Sequence, residues 1–263
     1  GGPASDRLVN LSLRAPAEAT PLIVGFVVAG TEPRPVLLRG IGPALRRYGI
    51  DNPARAPSLV LYDAAGREQA RASAWGGEPA LAAAFAATGA FPIDPAETDA
   101  ALLTPLAPGA YTLHISESDG AGVGLILLGE IFAAGPEPGA GLANLSARLT
   151  AGGEGSAIAG FVVGGSSPAR ILVRVAGPAL AAFGLTSLAV DPRLAVYDAA
   201  GQRIAANDDW TVAASVFEEV GAFAFPSGSK DAATVLQLAP GAYTVHAEAT
   251  TAGTALLEVY ALP

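Results

Sequence analysis

The fold is decided by one stretch of the chain that occurs twice. Leu106-Ala107-Pro108-Gly109-Ala110-Tyr111-Thr112-Leu113-His114 returns as Leu238-Ala239-Pro240-Gly241-Ala242-Tyr243-Thr244-Val245-His246. The Pro-Gly pair is typical of a tight turn, and the residues that follow it alternate as in a half-buried β-strand. The stretch therefore predicts a turn followed by a strand, at two places in one chain.

The residues before this stretch repeat in the same order, which indicates an internal duplication. The matching segments are Asn10-Leu11-Ser12-Leu13-Arg14 with Asn144-Leu145-Ser146-Ala147-Arg148, Gly25-Phe26-Val27-Val28 with Gly160-Phe161-Val162-Val163, Gly42-Pro43-Ala44-Leu45 with Gly177-Pro178-Ala179-Leu180, and Leu61-Tyr62-Asp63-Ala64-Ala65-Gly66 with Val196-Tyr197-Asp198-Ala199-Ala200-Gly201. We predict a first repeat over 1–134, a linker rich in proline and glycine over 135–141, and a second repeat over 142–263. Each repeat has the size of one sandwich domain.

Short runs rich in valine, isoleucine and leucine lie between glycine and proline residues and predict strands. The second copy has such runs at 143–149, 157–163, 170–175, 193–198, 203–207, 234–238, 241–248 and 255–260. Short helices are predicted at 178–183, which begins with proline and precedes Gly184, at 212–220, which precedes Gly221, and at the alanine-rich segment 78–87. We therefore expect an all-β fold of two tandem antiparallel β-sandwich domains, jelly-roll-like, with short helical insertions.

Composition excludes several classes of function. The chain has 263 residues, of which 51% are hydrophobic and 15% charged, with a net charge of −9. It can bury a core, but nucleic-acid binding is not expected because Lys230 is its only lysine and phosphates need clustered cations. No apolar run reaches the roughly 18 residues of a membrane span.

Cysteine and methionine are both absent. Disulfides, thiol nucleophiles and cysteine-ligated metals are thereby excluded. Lack of oxidisable sulfur suits an oxidising exterior, and the small residues Gly1-Gly2-Pro3-Ala4-Ser5 are typical of the region after a removed signal peptide. We expect an extracellular or cell-surface protein from which a signal peptide has been removed. The alternative is that only one initiator methionine was removed, and that the lack of sulfur residues reflects drift of composition.

The order of the motifs resembles a known family. The Tyr-Asp-x-x-Gly turn, the run Asn207-Asp208-Asp209-Trp210 and the later Leu-x-Pro-Gly-x-Tyr-Thr strand are similar to the pre-peptidase C-terminal type of secreted bacterial β-sandwich. The Ala- and Gly-rich repeats of exported bacterial cell-surface proteins are more similar still. The resemblance implies a β-sandwich fold and export from the cell. It does not imply a particular activity.

One acidic cluster is a candidate calcium site, since Ca²⁺ takes six to eight oxygen ligands from residues in turns. Its members are Asp198, Asn207, Asp208, Asp209 and Asp231. The alternative is that these residues bond to the backbone in turns or are simply solvated. The first copy has Ala72-Ser73-Ala74 in place of 207–209, which favours the alternative.

Trp75 and Trp210 occupy equivalent positions and are candidate sugar-binding platforms, or else core residues. His114 and His246 are also equivalent and are expected on strand surfaces. No Gly-x-Ser-x-Gly motif is present, and neighbouring Asp208 and Asp209 would point to opposite faces of a strand. We therefore predict a protein that is not an enzyme.

Two functional classes follow from these observations. The first is a self-assembling structural protein, a cell-surface or filament subunit whose sandwich edges pair end to end with other copies of itself. The Gly1–Arg14 arm and the end at Pro263 are the candidates for exchange. The second is an accessory glycan- or calcium-binding module of a secreted protein. A thermal melt with and without a chelator separates the two classes.

Overall fold

The computed structural model describes residues 8–16, 21–118, 125–134, 141–152 and 157–263. It consists of antiparallel sheets with a few short helices, so the predicted all-β class is confirmed. The last strand of the first copy ends at Ala133, and the first strand of the second copy begins at Leu142. Most of the predicted linker, and residues 1–7 of the predicted exchangeable arm, lie outside the described residues.

Within the described residues, each copy contributes eight strands in the same order. The first copy holds β1 (Leu8–Pro16), β2 (Leu22–Val28), β3 (Arg34–Ile41), β4 (Pro57–Asp63), β5 (Glu68–Ala72), β6 (Ala100–Leu106), β7 (Gly109–Glu117) and β8 (Ile126–Ala133). The second holds β9 (Leu142–Ala151), β10 (Ala157–Val163), β11 (Ala169–Ala176), β12 (Val190–Asp198), β13 (Arg203–Asn207), β14 (Ala232–Leu238), β15 (Gly241–Thr251) and β16 (Gly253–Ala261). All eight strands predicted in the second copy are present, with ends within a few residues.

Helices are present at the three predicted places, 78–87, 178–183 and 212–220, and a further one lies in the first copy at the position equivalent to 178–183. A 3-10 helix spans Pro43–Tyr48 in the first copy, and another spans Pro178–Phe183 in the second. Helix α1 spans Pro79–Thr88, and the shorter α2 spans Ala214–Glu219. Both 3-10 helices begin at a proline and end at a glycine in the left-handed conformation, as the sequence indicated.

The strands form two sheets of eight that are joined at one paired position, Leu8 of β1 with Leu142 of β9, and each sheet draws four strands from each copy. The first sheet runs β6-β3-β8-β1-β10-β15-β12-β13, and the second runs β14-β11-β16-β9-β2-β7-β4-β5. Strand β1 lies between β8 of its own copy and β10 of the other, while β9 lies between β16 and β2. The copies thus share both sheets, an arrangement that the sequence did not predict.

A serine in one copy lies over a glycine in the other at each junction. Ser12 of β1 pairs with Gly160 of β10, and Ser146 of β9 pairs with Gly25 of β2. A Cβ added to Gly160 would lie 2.4 Å from the Ser12 Oγ, and one added to Gly25 would lie 2.6 Å from the Ser146 Oγ. The repeated Asn-Leu-Ser and Gly-Phe-Val-Val motifs are therefore complementary between copies.

The main core lies between the two sheets. Alternate residues along each strand point inward, such as Leu11 and Leu13 of β1 and Phe161 of β10, all at most 1% exposed. The buried residues of both copies form one continuous cluster. A continuous core couples the folding of the two copies, because neither can bury its inner faces at the junction alone.

Two smaller clusters cover the outer face of part of each sheet. The first cap comprises the 3-10 helix Pro43–Tyr48, helix α1 and their loops, packed on β3, β6 and β8. The second cap comprises the 3-10 helix Pro178–Phe183, helix α2 and their loops, packed on β11, β14 and β16. Each cap covers only its own copy's end of the sheet, so the other copy's half of that outer face stays uncapped.

Candidate functional site

The acidic candidates occupy different local environments. The Asp198 carboxylate accepts hydrogen bonds from the backbone N–H groups of Ala200 and Gln202, both at 2.9 Å, which closes the turn between β12 and β13. Asn207 donates to the carbonyl of Asp209 and accepts from the N–H of Ala233. Both residues therefore bond to backbone, as in the structural alternative stated for them.

Asp231 is fully buried beneath the second cap. Its carboxylate accepts from the N–H of Gly177 at 2.7 Å and from that of Ala179 at 3.2 Å, at the beginning of the 3-10 helix. Asp99 makes the same contacts with Gly42 and Ala44 in the first copy. Asp231 thus joins the cap to β14, a role that the sequence did not reveal.

Asp208 and Asp209 are exposed, and Asp209 pairs with Lys230 at 2.7 Å. The ammonium of Lys230 has a raised pKa because it donates hydrogen bonds to this carboxylate. Across the described residues, no three histidine, aspartate or glutamate side chains lie close enough together to hold a metal ion. The structure therefore does not bring the five candidate ligands into one group.

The two tryptophans lie in the caps. Trp75 is 4% exposed, and its indole N–H donates to the carbonyl of Asp94 at 3.0 Å. Trp210 is half-buried and contacts the rings of Phe217 and Phe225, with centroids 5.7 and 5.9 Å away. The buried ring of Trp75 offers no face to a sugar, and the half-buried ring of Trp210 is packed against two phenylalanine rings.

Each cap covers a buried ion pair that the sequence analysis missed. Arg39 on β3 lies 3.1 Å from Glu130 on β8, and Arg174 on β11 lies 2.9 Å from Glu258 on β16. Both arginines are fully buried, and burial raises the pKa of both glutamates while the arginines oppose that rise. A glutamate occurs at the equivalent position of both copies, inside an apolar run. That repetition is the sequence signal from which Glu130 and Glu258 could have been predicted.

Aromatic rings enclose the buried guanidinium groups. Arg39 lies 4.2 Å from the centroid of Phe91, and Arg174 lies 4.4, 4.5 and 4.2 Å from three phenylalanine rings of the second cap. Each arginine also donates to a backbone carbonyl of its cap, Phe91 or Phe223, at 2.8 Å. The pairs therefore hold the caps on the sheets and are sealed from solvent.

The four edges of the two sheets lie at opposite ends of the sandwich. Strands β6 and β5 close one end, and β13 and β14 close the other. Within the described part of the chain, each of these strands pairs with one neighbour only. Open edges are the places where another strand can add to a sheet.

Strand β14 presents backbone groups outward at Val235 and Gln237. Arg170 is opposite Gln237, and its carbonyl accepts from Leu262 on the far side, so Arg170 and Gln237 are not a hydrogen-bonded pair. The N–H and C=O groups of Gln237 therefore face away from β11. Period-two alternation gives Val235 and Ala233 the same orientation, and the N–H of Ala233 bonds outward to Asn207.

A groove of about 440 Å³ lies on the outer face of the first sheet, at the boundary between the copies. One wall is the edge of the first cap, and the floor is formed by β8, β1, β10 and β15. Arg14 and His246 line it, and no carboxylate of the described residues does. The lining residues are Ser12, Arg14, Leu45, Tyr48, Ile50, Phe91, Leu128, Ile158, Gly160, Thr244 and His246.

The histidines lie on uncapped strand surfaces, as expected, each beside a tyrosine. The ring centroids of His114 and Tyr62 are 4.8 Å apart, and those of His246 and Tyr197 are 4.7 Å apart. Burial lowers the pKa of His114, and the positive charge of Arg148 lowers it further. The two histidines lie in different sheets.

Comparisons with known proteins give weak structural neighbours only. No protein-family profile and no curated protein matches this chain. A presumed secreted protein from Eubacterium rectale is 10% identical with a TM-score of 0.24, over 92% of this chain and 69% of that one. The STIV MCP is 12% identical with a TM-score of 0.24, over 98% and 88%. The coconut allergen cocosin is 9% identical with a TM-score of 0.16, over 98% and 86%.

These likenesses carry no argument about function. The resemblance to the pre-peptidase C-terminal type is matched by no family profile, so it stays a prediction. None of the helices in the described ranges is long and apolar enough to cross a membrane.

Proposed function

We propose that this protein is a non-enzymatic extracellular structural subunit that assembles end to end with copies of itself. The support is the pair of continuous eight-stranded sheets, whose open edges lie at the two ends of one sandwich. Shared sheets make the two copies one rigid unit, which is a suitable building block for a linear assembly. The absence of sulfur residues in the sequence supports the extracellular location.

The outward edge of β14 is the observation that carries this proposal. Natural edge strands are protected by charge, proline or shortness. Strands β5 and β13 have five residues each and carry arginine, and β6 carries Pro105. Strand β14 has seven residues, Ala-Ala-Thr-Val-Leu-Gln-Leu, with no charge and no proline. An edge without these protections is suited to pairing with another chain, and end-to-end growth requires that it pairs with an edge at the opposite end of the next copy, β5 or β6, and not with that copy's β14.

Pro105 shows how the equivalent edge is protected in the first copy. Pro35 and Pro105 are opposite each other in β3 and β6, and neither has an N–H to donate. They therefore form a pair that is not hydrogen-bonded, so Pro105 removes a donor from the outward edge of β6. The corresponding residue of β14 is Gln237, which retains that donor. The two copies thus differ at the position that decides edge pairing.

The difference between the copies provides the test. Gln237→Pro introduces on β14 the proline that β6 already carries at position 105. The monomer should therefore keep its stability while it loses an outward N–H. Gln237→Ala keeps the donor and is the matched control. We expect wild type and Gln237→Ala to form larger species as concentration rises in sedimentation velocity, and Gln237→Pro to assemble much less.

Three outcomes of this experiment would overturn the proposal. They are a wild-type protein that stays monomeric at all concentrations, a discrete dimer that does not grow further, and assembly by Gln237→Pro equal to that of Gln237→Ala. Pro105→Gln is the reverse variant, and it should increase assembly because it opens the edge of β6. Circular dichroism melts establish that the variants compared are folded.

A specific observation also favours a ligand-binding role, the second class of function predicted from the sequence. The groove on the first sheet combines an exposed aromatic ring with polar groups, a combination that ligand sites use. Its ligand is argued below. The calcium alternative has no such observation in its favour and is tested by a melt with and without chelator.

A further inference from the structure

The groove on the first sheet is built from residues that both copies retain. Of the eleven residues that line it, nine are identical at the equivalent position of the other copy. The remaining two change only from Tyr48 to Phe183 and from Ile50 to Leu185. The equivalent set lies on the outer face of the second sheet, where Arg148 and His114 flank Ile23 as Arg14 and His246 flank Ile158.

Exposed residues next to this set have diverged, so the retention is not a general similarity of the surface. Arg46 and Arg47 precede Tyr48 in the first copy, and alanines stand at both positions in the second. Glu68 on β5 corresponds to Arg203 on β13, with reversed charge. Ser12 and Gly160 fit together at the junction, and Leu45, Phe91 and Leu128 belong to the cap or pack against it, so their retention has a structural reason. Arg14 was retained without such a reason while its exposed neighbours changed, which indicates a constraint on the groove surface.

Arg14 has no structural task in the fold. Its side chain is exposed, and among the described residues it makes no hydrogen bond and no ion pair. The chain holds 24 acidic residues against 15 basic ones, yet none of the acidic residues that the structure describes lines this groove. A guanidinium with no partner among the described residues, in a groove with no described acid, is suited to a carboxylate, which it binds through charge-assisted hydrogen bonds.

The rest of the lining is suited to a sugar. Tyr48 is 59% exposed, and Phe183 is 60% exposed in the second copy, so each offers a ring face at the rim of the cap. Ser12 and Thr244 provide hydroxyl groups that can both donate and accept, which is what sugar hydroxyls require. The ring contacts Phe91 with centroids 5.0 Å apart, which holds it in place.

An extended peptide is a poorer fit. The floor strands β8, β1, β10 and β15 are each paired on both sides, so a peptide cannot add to them as a further strand. We propose that the outer face of each sheet binds a carboxylate-bearing oligosaccharide, with its carboxylate on Arg14 or Arg148 and a sugar ring on Tyr48 or Phe183. This proposal does not depend on self-assembly, since β14 contributes no residue to either set.

Calorimetric titration with a trimer of galacturonate tests the proposal, with a neutral galactose trimer as the matched ligand. We expect two sites per chain for the acidic trimer and at least about tenfold weaker binding of the neutral one, because an ionic hydrogen bond is lost. Arg14→Gln should leave one site, and Arg14→Gln with Arg148→Gln should leave none. Arg71→Gln, an exposed arginine outside the groove, is the control and should retain both sites.

Each of several results would overturn the proposal. They are no binding of the acidic trimer, equal binding of the neutral trimer, a single site in the wild type, or unchanged binding by the double arginine variant. Tighter binding of a polyglutamate peptide than of the trimer would assign the groove to acidic peptides instead. Tyr48→Leu, which keeps the charge, should weaken the first site and leave the second unchanged.

Discussion

Replacing Gly160 by alanine tests directly which strand lies beside β1. The added Cβ would lie 2.4 Å from the Ser12 Oγ, about 1 Å closer than ordinary van der Waals contact. The Ser12 Cβ would be 3.9 Å away, which is an ordinary distance. Ser12→Ala therefore removes the clash while it preserves the rest of the contact, and the two substitutions form a double-mutant cycle.

The magnitude follows from two opposing effects. Overpacking costs about 1–3 kcal/mol. Loss of glycine's freedom in the unfolded chain stabilises the protein by about 0.4–1 kcal/mol where the native backbone suits alanine. Gly160 lies in a regular strand outside the left-handed region, so both effects apply. With Ser12 present we expect a net loss of about 0.5–2 kcal/mol, and with Ser12→Ala we expect no loss or a small gain.

Denaturant unfolding of the four proteins in the cycle measures this coupling. The second junction provides the control, because Gly25→Ala should couple to Ser146 and not to Ser12. If each copy instead closed its own sheets, β1 would lie beside β2, and Ser12 would couple to Gly25. Coupling of Gly25 to Ser12, or an equal effect of Gly160→Ala in both backgrounds, would refute the shared sheets.

Three further predictions concern the buried and titratable groups. Glu258→Gln leaves Arg174 buried without a counter-charge and should lower the free energy of unfolding by about 3–5 kcal/mol in denaturant titration. The pKa of His114 lies below its ordinary 6.5 in the folded protein, so the unfolded chain binds more protons near that pH. The free energy of unfolding should therefore fall as the pH falls through 6.5. The fall should be less steep in His114→Gln. Asp231 is engaged by two backbone amides, so calcium and chelator should leave the melting midpoint unchanged, whereas a specific site would raise it with calcium.

The strands could be predicted from sequence because their signals are local. Glycine and proline mark the turns, and period-two alternation marks the inner faces, as in the strand Gly241–Thr251. The pairing between the copies could not be predicted from the sequence, and the reason is physical. Both copies carry the same serine and the same glycine, so Ser12 fits Gly25 as well as it fits Gly160. Only the closure of the whole sandwich selects between them.

The candidate sites were harder to predict, because their residues come together only through the tertiary fold. Asp231 looked like a member of an acidic surface cluster, yet it is buried against Gly177 and Ala179, more than fifty positions earlier in the chain. The groove combines Arg14 and Tyr48 from one copy with His246 from the other. The acids and tryptophans lie in strong local motifs and were therefore the candidates predicted from the sequence. Exposed residues that repeat in both copies without a structural role were a better indication of a candidate site.

Amide hydrogen exchange at Val235 and Gln237, followed as protein concentration rises, tests the proposed assembly most directly. Both N–H groups face outward from β14 and should exchange rapidly in the dilute monomer. If copies join through this edge, both amides become protected in step with growth of the assembled species. Assembly that leaves both amides unprotected would contradict the account.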